Sequence, residues 1–377
     1  MLNEEKFSKV NIKYVIVVQV HNRLEYLQLL INSLNNVKDI ESCLIIFSHD
    51  IYSADIDKPI KNISFARVMQ IYYPYNLQLF PTIFPGLGDD DCPPSISKDE
   101  AYRVNCSSRS QFDSYDHYRN PKLSQIKHHW WWKLNYTFEK VLKRFKITGK
   151  IILIEEDHYV MPDAIHVLNS IYRDKDKLCN DCNIVVLGSY KWDDNKYVND
   201  LNKVNIMQWY SSMHNMGMVI DSDLWEEITK CSQSFCTYDD YNWDWTLLKI
   251  SLTCMSRPMK ALTITSPRIL HIGDCGTHVH DCESQKSLKR TTKLLDLSKD
   301  QLFPETLMTK ELIKKTPRAS QPNGGWKDIR DQYLCYHNSL NMPKGDNMGY
   351  FSEKYINYKE ERGLYPFMDL DFLIGLP

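Results

Sequence analysis

The 377-residue chain has little glycine, 13 residues in all, and neither a GxGxxG nor a P-loop pattern occurs in it. A cradle of backbone N–H groups around a phosphate needs glycine at set positions, so that mode of nucleotide binding is excluded. Gly86 and Gly88 lie in a stretch rich in Pro and Asp, not between a strand and a helix. Excess positive charge is missing too. The formal charge is −2, with no basic stripe interleaved with aromatics, which argues against a nucleic-acid partner. No apolar run reaches the length of a membrane span, and the opening MLNEEKFSKV is not a secretory signal. A place in the secretory pathway would therefore need a targeting segment that this chain does not carry.

What is present is a large potential core and many cysteines. Hydrophobic residues make up 43% of the chain and aromatics 12%, ample for one large α/β domain or two ordinary ones. Of the eleven cysteines, Cys43 opens the apolar run CLIIF and reads as a buried free thiol. The other ten lie near polar loops or element ends, an even number that suits disulfides in an oxidising compartment. Three N-glycosylation sequons point the same way: Asn62-Ile63-Ser64, Asn105-Cys106-Ser107 and Asn135-Tyr136-Thr137. Cys179 and Cys182 could be half a zinc site or a redox pair. No second CxxC partners them and they precede a strand, so a local bridge is the better reading.

Strands and helices alternate over the first 190 residues. Tyr14–Val20 is a continuous apolar run, as expected of a strand covered on both faces. Asn22 has the capping-box spacing to Glu25, and Leu27, Leu30, Ile31 and Leu34 supply a helical stripe. Leu44–Phe47 and Arg67–Tyr73 read as further strands, Pro74–Pro121 as a long loop, and Leu123–Phe145 as a helix. Lys150–Ile154 is a buried strand, followed by a helix over Ala164–Arg173 and a strand over Ile184–Leu187. This rhythm predicts an α/β fold with a mostly parallel sheet and helices on both faces, whose ligands bind beyond the carboxyl ends of the strands. Asn22, Arg23, Asp50 and Glu155–Asp157 all fall at such ends.

The run Glu155-Glu156-Asp157 after a buried strand is either a solvated acidic turn or a site, and three acids in succession favour the site. Carboxylates there can hold a hard divalent cation that neutralises a diphosphate. Alternation along the strand puts Glu155 and Asp157 on one side and Glu156 on the other, making Asp157 the expected metal ligand. In FCTYDDYNWDW (235–245) aromatics interleave with Asp239, Asp240 and Asp244. That pattern fits a sugar-binding surface and a capped, well-packed helix start equally well. His271, at the polar end of RILHIG (268–273), is either a core histidine or a metal ligand. His278 and His280 lack any HExxH context that would make them zinc ligands.

QVHNRLEYLQLL, LIIFSHD, LSQIKHHWWWKL, EEDHYVMPD, HNMG, FCTYDDYNWDW, HIGDCG, FPETL and NGGWKDIRD occur in this order. Over about residues 12–335 the chain resembles the N-acetylglucosaminyltransferase II family. The resemblance implies a disulfide-bonded GT-A glycosyltransferase fold over residues 7–335. Residues 12–190 or so would bind the nucleotide sugar and residues 191–335 the acceptor, followed by an extension of unknown role over 336–377. It implies inverting transfer of GlcNAc from UDP-GlcNAc, with Mn²⁺, to O2 of the α1,6-linked mannose of an N-glycan core, in the Golgi lumen. Carried over by position, it makes Asp157 and His271 the metal ligands and Asp244 the catalytic base. Asn22, Arg23, Asp50, Glu156 and Asp157 would hold the nucleotide sugar, and Glu155, Asn215 and Trp243 would face the acceptor. It also implies the bridges Cys92–Cys106, Cys179–Cys182, Cys231–Cys254, Cys236–Cys335 and Cys275–Cys282. Family members carry a membrane anchor and stem that are absent here. Rival readings are an inactive glycan-binding homologue, a metal-dependent hydrolase and a sister β-1,2-GlcNAc-transferase acting on the other arm.

Overall fold

The structure, a computed structural model, describes residues 1–273, 284–313, 317–318 and 321–339. Its frame is a nine-stranded sheet of order β11-β7-β9-β6-β8-β4-β1-β2-β3, flanked by a two-stranded ribbon of β5 and β10. The strands are β1 (Tyr14–Val20), β2 (Cys43–His49), β3 (Arg67–Tyr72), β4 (Lys150–Glu155), β5 (His158–Val160) and β6 (Ile184–Val186). They continue as β7 (Lys203–Gln208), β8 (Met218–Ile220), β9 (Lys260–Ile264), β10 (Ile269–His271) and β11 (Met308–Ile313). In the large sheet β3, β2, β1, β4, β6 and β9 run one way, and β8, β7 and β11 the other. The expected mostly parallel sheet is present.

The apolar runs are continuous because both faces are covered. Val15 and Val17 point into one core with Leu44, Ile46, Ile151 and Leu153, under the helices Pro121–Tyr136, Ser222–Lys230 and Trp243–Thr253. Tyr14, Ile16 and Val18 point into the other core with Ile45, Phe47, Ile152 and Ile154, under Leu24–Asn35, Ala54–Lys61 and Ala164–Cys179. Burying a Val or Ile on either face contributes on the order of 1.5–3 kcal/mol, and the polar residues Gln19, Ser48 and His49 fall at the carboxyl ends of these strands.

Several local expectations are corrected. Asn22 does not cap the first helix: Arg23 occupies the cap position of Leu24–Asn35, and no side chain caps it. The third strand stops at Tyr72, one residue early. The long helix starts at Pro121, with Asn120 accepting from the Lys122 N–H, and passes through a wide π-type turn at Thr137–Leu142 before ending at Phe145. The helix from Ala164 extends to Cys179, so the Cys179–Cys182 bridge fastens its end. The 74–121 segment contains a helix, Lys98–Val104, with the Cys92–Cys106 bridge beside it.

Bridges Cys231–Cys254 and Cys236–Cys335 are also formed, and Cys43 is buried and free. The Cys275–Cys282 pair, His278 and His280 lie outside the described residues. Of the expected extension, residues 336–339 are described. Tyr336 is buried and Ser339 accepts from the Trp131 indole N–H at 3.0 Å. No helix among the described residues is long and apolar enough to cross a membrane.

Candidate active site

Parallel register sets Val20 beside His49 and Gln19 beside Glu155, so three chain segments leave the sheet together at one edge. There His21 Nδ1 and Asp50 Oδ1 are 2.7 Å apart, and the His21 N–H donates to Glu156 Oε2 at 2.9 Å. Gln125, from the long helix, donates to Asp50 Oδ2 at 3.1 Å. Burial alone would raise the Asp50 carboxyl, but the His21 hydrogen bond and neighbouring histidines outweigh it and hold it below its usual range. Arg23 reaches back across this edge, its Nε donating to Glu156 Oε1 (2.8 Å) and its Nη1 to Asp157 Oδ2 (2.7 Å). Asn22 is exposed between the two.

Glu156 and Asp157 therefore share one guanidinium, contrary to the alternation expected from the sequence. Pairing of β4 ends at Glu155, and the next two residues turn, so the strand's two-sided rule no longer applies to them. Glu155 itself is half-buried. Burial raises its carboxyl, opposed by Lys133, a buried lysine whose ammonium burial holds down to about 8 and whose Nζ donates to Gln19 Oε1.

Antiparallel pairing of β5 with β10 sets His271 opposite His158 and brings its Nε2 to 3.1 Å from Asp157 Oδ2. Asp157 is 2% exposed. Its Oδ2 is shared by Arg23 and His271, while its Oδ1 is buried without a hydrogen-bond partner among the described residues. A buried carboxylate oxygen left unsatisfied costs about 1–3 kcal/mol or more unless a cation takes it. Burial would raise the Asp157 carboxyl, but the His271 hydrogen bond and the charges nearby keep it well below the ordinary range, so it stays ionised. The approach at Gly273 is so close that a Cβ there would lie 2.2 Å from Asp157 Oδ2. Glu155 and His158 each bring a potential ligand atom within 4.8 Å of Asp157. His158, however, already accepts from the Glu155 N–H, and burial pulls its ring down to about 3. Carboxylate oxygen with imidazole nitrogen is a donor set that suits Mn²⁺, and the orphaned Oδ1 gives such an ion an obvious first ligand.

The FCTYDDYNWDW stretch forms the packed helix start that one reading expected, with Asp244 in the first turn and Trp243 buried. Asp239 and Asp240 are structural. Asp239 accepts from the Trp326 N–H, and Asp240 accepts from Asn242 and from the Asn323 backbone and side chain, folding the NGGW loop onto this one. Lys127 is buried beneath, donating to the Asp240 carbonyl at 2.8 Å. Trp243 lies flat on Trp130, 4.4 Å between centroids and 7° between planes, and is 8% exposed. One face of its ring is therefore taken by the core. Trp245 is half-buried and edge-on to Tyr210.

Asp244 sits in the first turn of the helix Trp243–Thr253. Its Oδ1 accepts from the Trp245 N–H and its Oδ2 from Asn215 Nδ2, both at 3.0 Å. Burial pushes its carboxyl up to about 6 against the pull of those two donors. The Asn215 amide oxygen is buried without a partner among the described residues. Between the two halves stands Tyr190, whose ring is 5.6 Å from His271 and whose phenol is raised by burial and then by Glu155, Asp157 and Asp244. All three carboxylates lie close enough to raise this one phenol.

His21, Gln125, Lys133 and Tyr190 were not singled out from the sequence. His21 had a signal, standing between a strand end and Asn22. Gln125 and Lys133 had a weaker one, each falling four residues from His129 on the long helix, whose Nε2 is 2.7 Å from Ser48 Oγ at the end of β2. Tyr190 lies in a polar loop and had none.

An orphaned, cation-ready carboxylate and a second carboxylate raised by burial are groups that a glycosyltransferase can use. The family model for N-acetylglucosaminyltransferase II (MGAT2) matches residues 1–335. The rat alpha-1,6-mannosyl-glycoprotein 2-beta-N-acetylglucosaminyltransferase is 43% identical over 326 residues, 85% of this chain and 73% of that protein. Its Arabidopsis thaliana namesake is 30% identical over 332 residues, 86% of this chain and 74% of that protein. A solved mannosyltransferase from Pyrobaculum calidifontis, in complex with GDP-Man and Mn²⁺, covers 97% of this chain and 87% of its own. Its TM-score of 0.34 and 8% identity are too low to bear on the site. The chain belongs to the N-acetylglucosaminyltransferase II family.

Proposed function

We propose that this protein transfers GlcNAc from UDP-GlcNAc to O2 of the α1,6-linked mannose of an N-glycan core, with inversion, in the Golgi lumen. The observation that carries the reading is Asp244, a buried carboxylate raised to about 6 with each oxygen held by one donor. Attack by a sugar hydroxyl needs a base on the face away from the departing nucleotide, and the most useful base has a pKa close to working pH. With its carboxyl at about 6, Asp244 is about nine-tenths ionised at pH 7 and still basic enough to accept the proton. Asn215 and the Trp245 N–H fix both its oxygens, so the acceptor hydroxyl meets an oriented lone pair.

Asp157 and His271 would hold Mn²⁺, which when bound stabilises the negative charge that develops on the departing diphosphate. Arg23 supplies a fixed positive charge at the same edge, and His21, Asp50 and Gln125 form the polar surface for the nucleoside. Glu155, Asn215 and Trp243 would border the acceptor, and Asn215 also holds the base.

The reading is tested with purified chain, UDP-GlcNAc, Mn²⁺ and a Man₃GlcNAc₂ glycan capped by GlcNAc on its α1,3 arm, with Asp244→Asn in parallel. A β1,2-linked GlcNAc on the α1,6 arm is expected from the unaltered chain, and a loss of at least about 10²-fold in kcat from the variant. Product on the other arm would transfer the reading to a sister enzyme. UDP binding with no product from either protein would leave a glycan-binding homologue.

A further inference from the structure

Three sequons are written into the chain, but the fold leaves them in very different states. Asn135 is fully buried on the long helix, its Nδ2 donating to the Trp131 carbonyl at 2.9 Å. The third residue of that sequon, Thr137, is equally buried and donates to the Lys133 carbonyl at 2.6 Å. Placing a sugar on Asn135 would require the helix to leave the core formed by Trp130, Trp131 and Trp132. Asn62, in contrast, is exposed just past the end of the helix Ala54–Lys61, and Ser64 is exposed with it.

The loop around Asn62 is firmly placed. Asn3 Nδ2 donates to the carbonyls of Ile63 (2.7 Å) and Ala66 (2.9 Å), and Lys6 Nζ to that of Ser64 (2.7 Å). A cleft of about 440 Å³ opens beside it, bordered by Gln28, Asn32, Pro59 and Phe65, with room for the first sugars of a glycan. This loop precedes β3, whereas the site lies past the carboxyl ends of the parallel strands. Six residues of strand separate the two edges by about 20 Å.

We propose that Asn62 is an N-glycan attachment site and that Asn135, despite its sequon, is never one in the folded protein. The Asn62 carboxamide nitrogen would displace a lipid diphosphate from the anomeric carbon of a preassembled oligosaccharide, forming the N–C bond and releasing one proton. Donor and transferase are those of the host secretory pathway. The glycan would project from the edge opposite the active site and leave transfer untouched. Asn105 is exposed as well, but Cys106 fills the middle of its sequon and must pair with Cys92, so bridge formation competes with modification there.

The test supplies a secretory leader, which separates it from where the protein resides naturally. The full chain is secreted from cultured animal cells and treated with peptide N-glycosidase in heavy-oxygen water, which turns each occupied Asn into labelled Asp. Label at Asn62 and none at Asn135 is the expected pattern, and Ser64→Ala should abolish the Asn62 label while leaving GlcNAc transfer within about twofold. An unlabelled Asn62 in secreted, folded chain overturns the proposal. So does label at Asn135 in the folded fraction, or a severalfold change in transfer when the Asn62 glycan is absent. Failure of GlcNAc transfer in the unaltered chain would strike only the functional reading, since occupancy is read by mass alone.

Discussion

Asn215→Ala isolates the tuning of the base from its presence. In the wild-type protein the Asn215 amide donates to Asp244 Oδ2 at 3.0 Å, a bond that favours the ionised carboxylate. Deleting it can only raise the pKa. A hydrogen bond to a charged group contributes about 1.5–3 kcal/mol, and one pKa unit corresponds to about 1.4 kcal/mol. Water will replace part of the lost donor in the vacated space, so the lower end applies, a rise of about one unit, from about 6 to about 7. The acid limb of kcat/KM should then move up by about one unit. At pH 6.5 the ionised fraction falls from about three-quarters to about one-quarter, a threefold loss, and at pH 8 the loss from this cause nearly vanishes. Asn215 also borders the acceptor, so the absolute rate will drop for a second reason. The position of the limb is therefore the quantity to read, from full profiles between pH 5 and 9 with saturating donor and cation. A limb that stays where it is in wild type would refute Asp244 as the titrating base.

Gly273→Ala should weaken Mn²⁺ dependence sharply, raising the half-saturating cation concentration by about tenfold or more, because the new methyl group would collide with Asp157 Oδ2. Cation titration of the transfer rate reads this, and an unchanged curve would remove Asp157 from the cation site. Asp331 is fully buried, held by Arg119 Nε at 2.6 Å, His128 Nε2 at 2.9 Å and Ser124 Oγ at 3.2 Å. Burial would raise its carboxyl, but Arg119 and His128 drive it far below the ordinary range, so its contribution is present above about pH 4 and is lost as pH falls further. Asp331→Asn should cost about 3–5 kcal/mol at pH 7, seen as a large drop in Tm. The gap to wild type should narrow at pH 3, and an equal gap at both pH values would refute the ionic account.

The parallel half of the fold was legible because its strands are covered on both faces and therefore read as unbroken apolar runs. The other half was less so: β8 is three residues long, too short for any period to show, and β7 carries Asn205 and Gln208 among its apolar residues. At the site, partners that lie far apart in the chain were not legible. Asp157 and Glu156 were assigned opposite sides on the assumption that β4 continues, when its pairing ends one residue before them. Nothing in the segment of Trp243 reveals Trp130, which comes more than a hundred residues earlier. Asp239 and Asp240 are tied to Trp326 and Asn323, from a loop some eighty residues away, and Asp244 is not.

The helix Pro121–Tyr136 touches both halves of the site. Gln125, His129 and Lys133 reach Asp50, Ser48 and Gln19 on the proposed donor side. Lys127 and Trp130 hold the Asp240 carbonyl and Trp243 on the proposed acceptor side. A rigid rod buried in the core thus sets the gauge between the two substrates, as a single casting sets the spacing of two bearings. Transfer between sugars tolerates little error, since the reacting atoms must approach within about 3–3.5 Å. Neither half can then shift to suit a new substrate without the other moving too. Altered donor or acceptor choice in this framework should come from the loops that line the space, at Tyr190 and Trp245, and not from the rod that spans it.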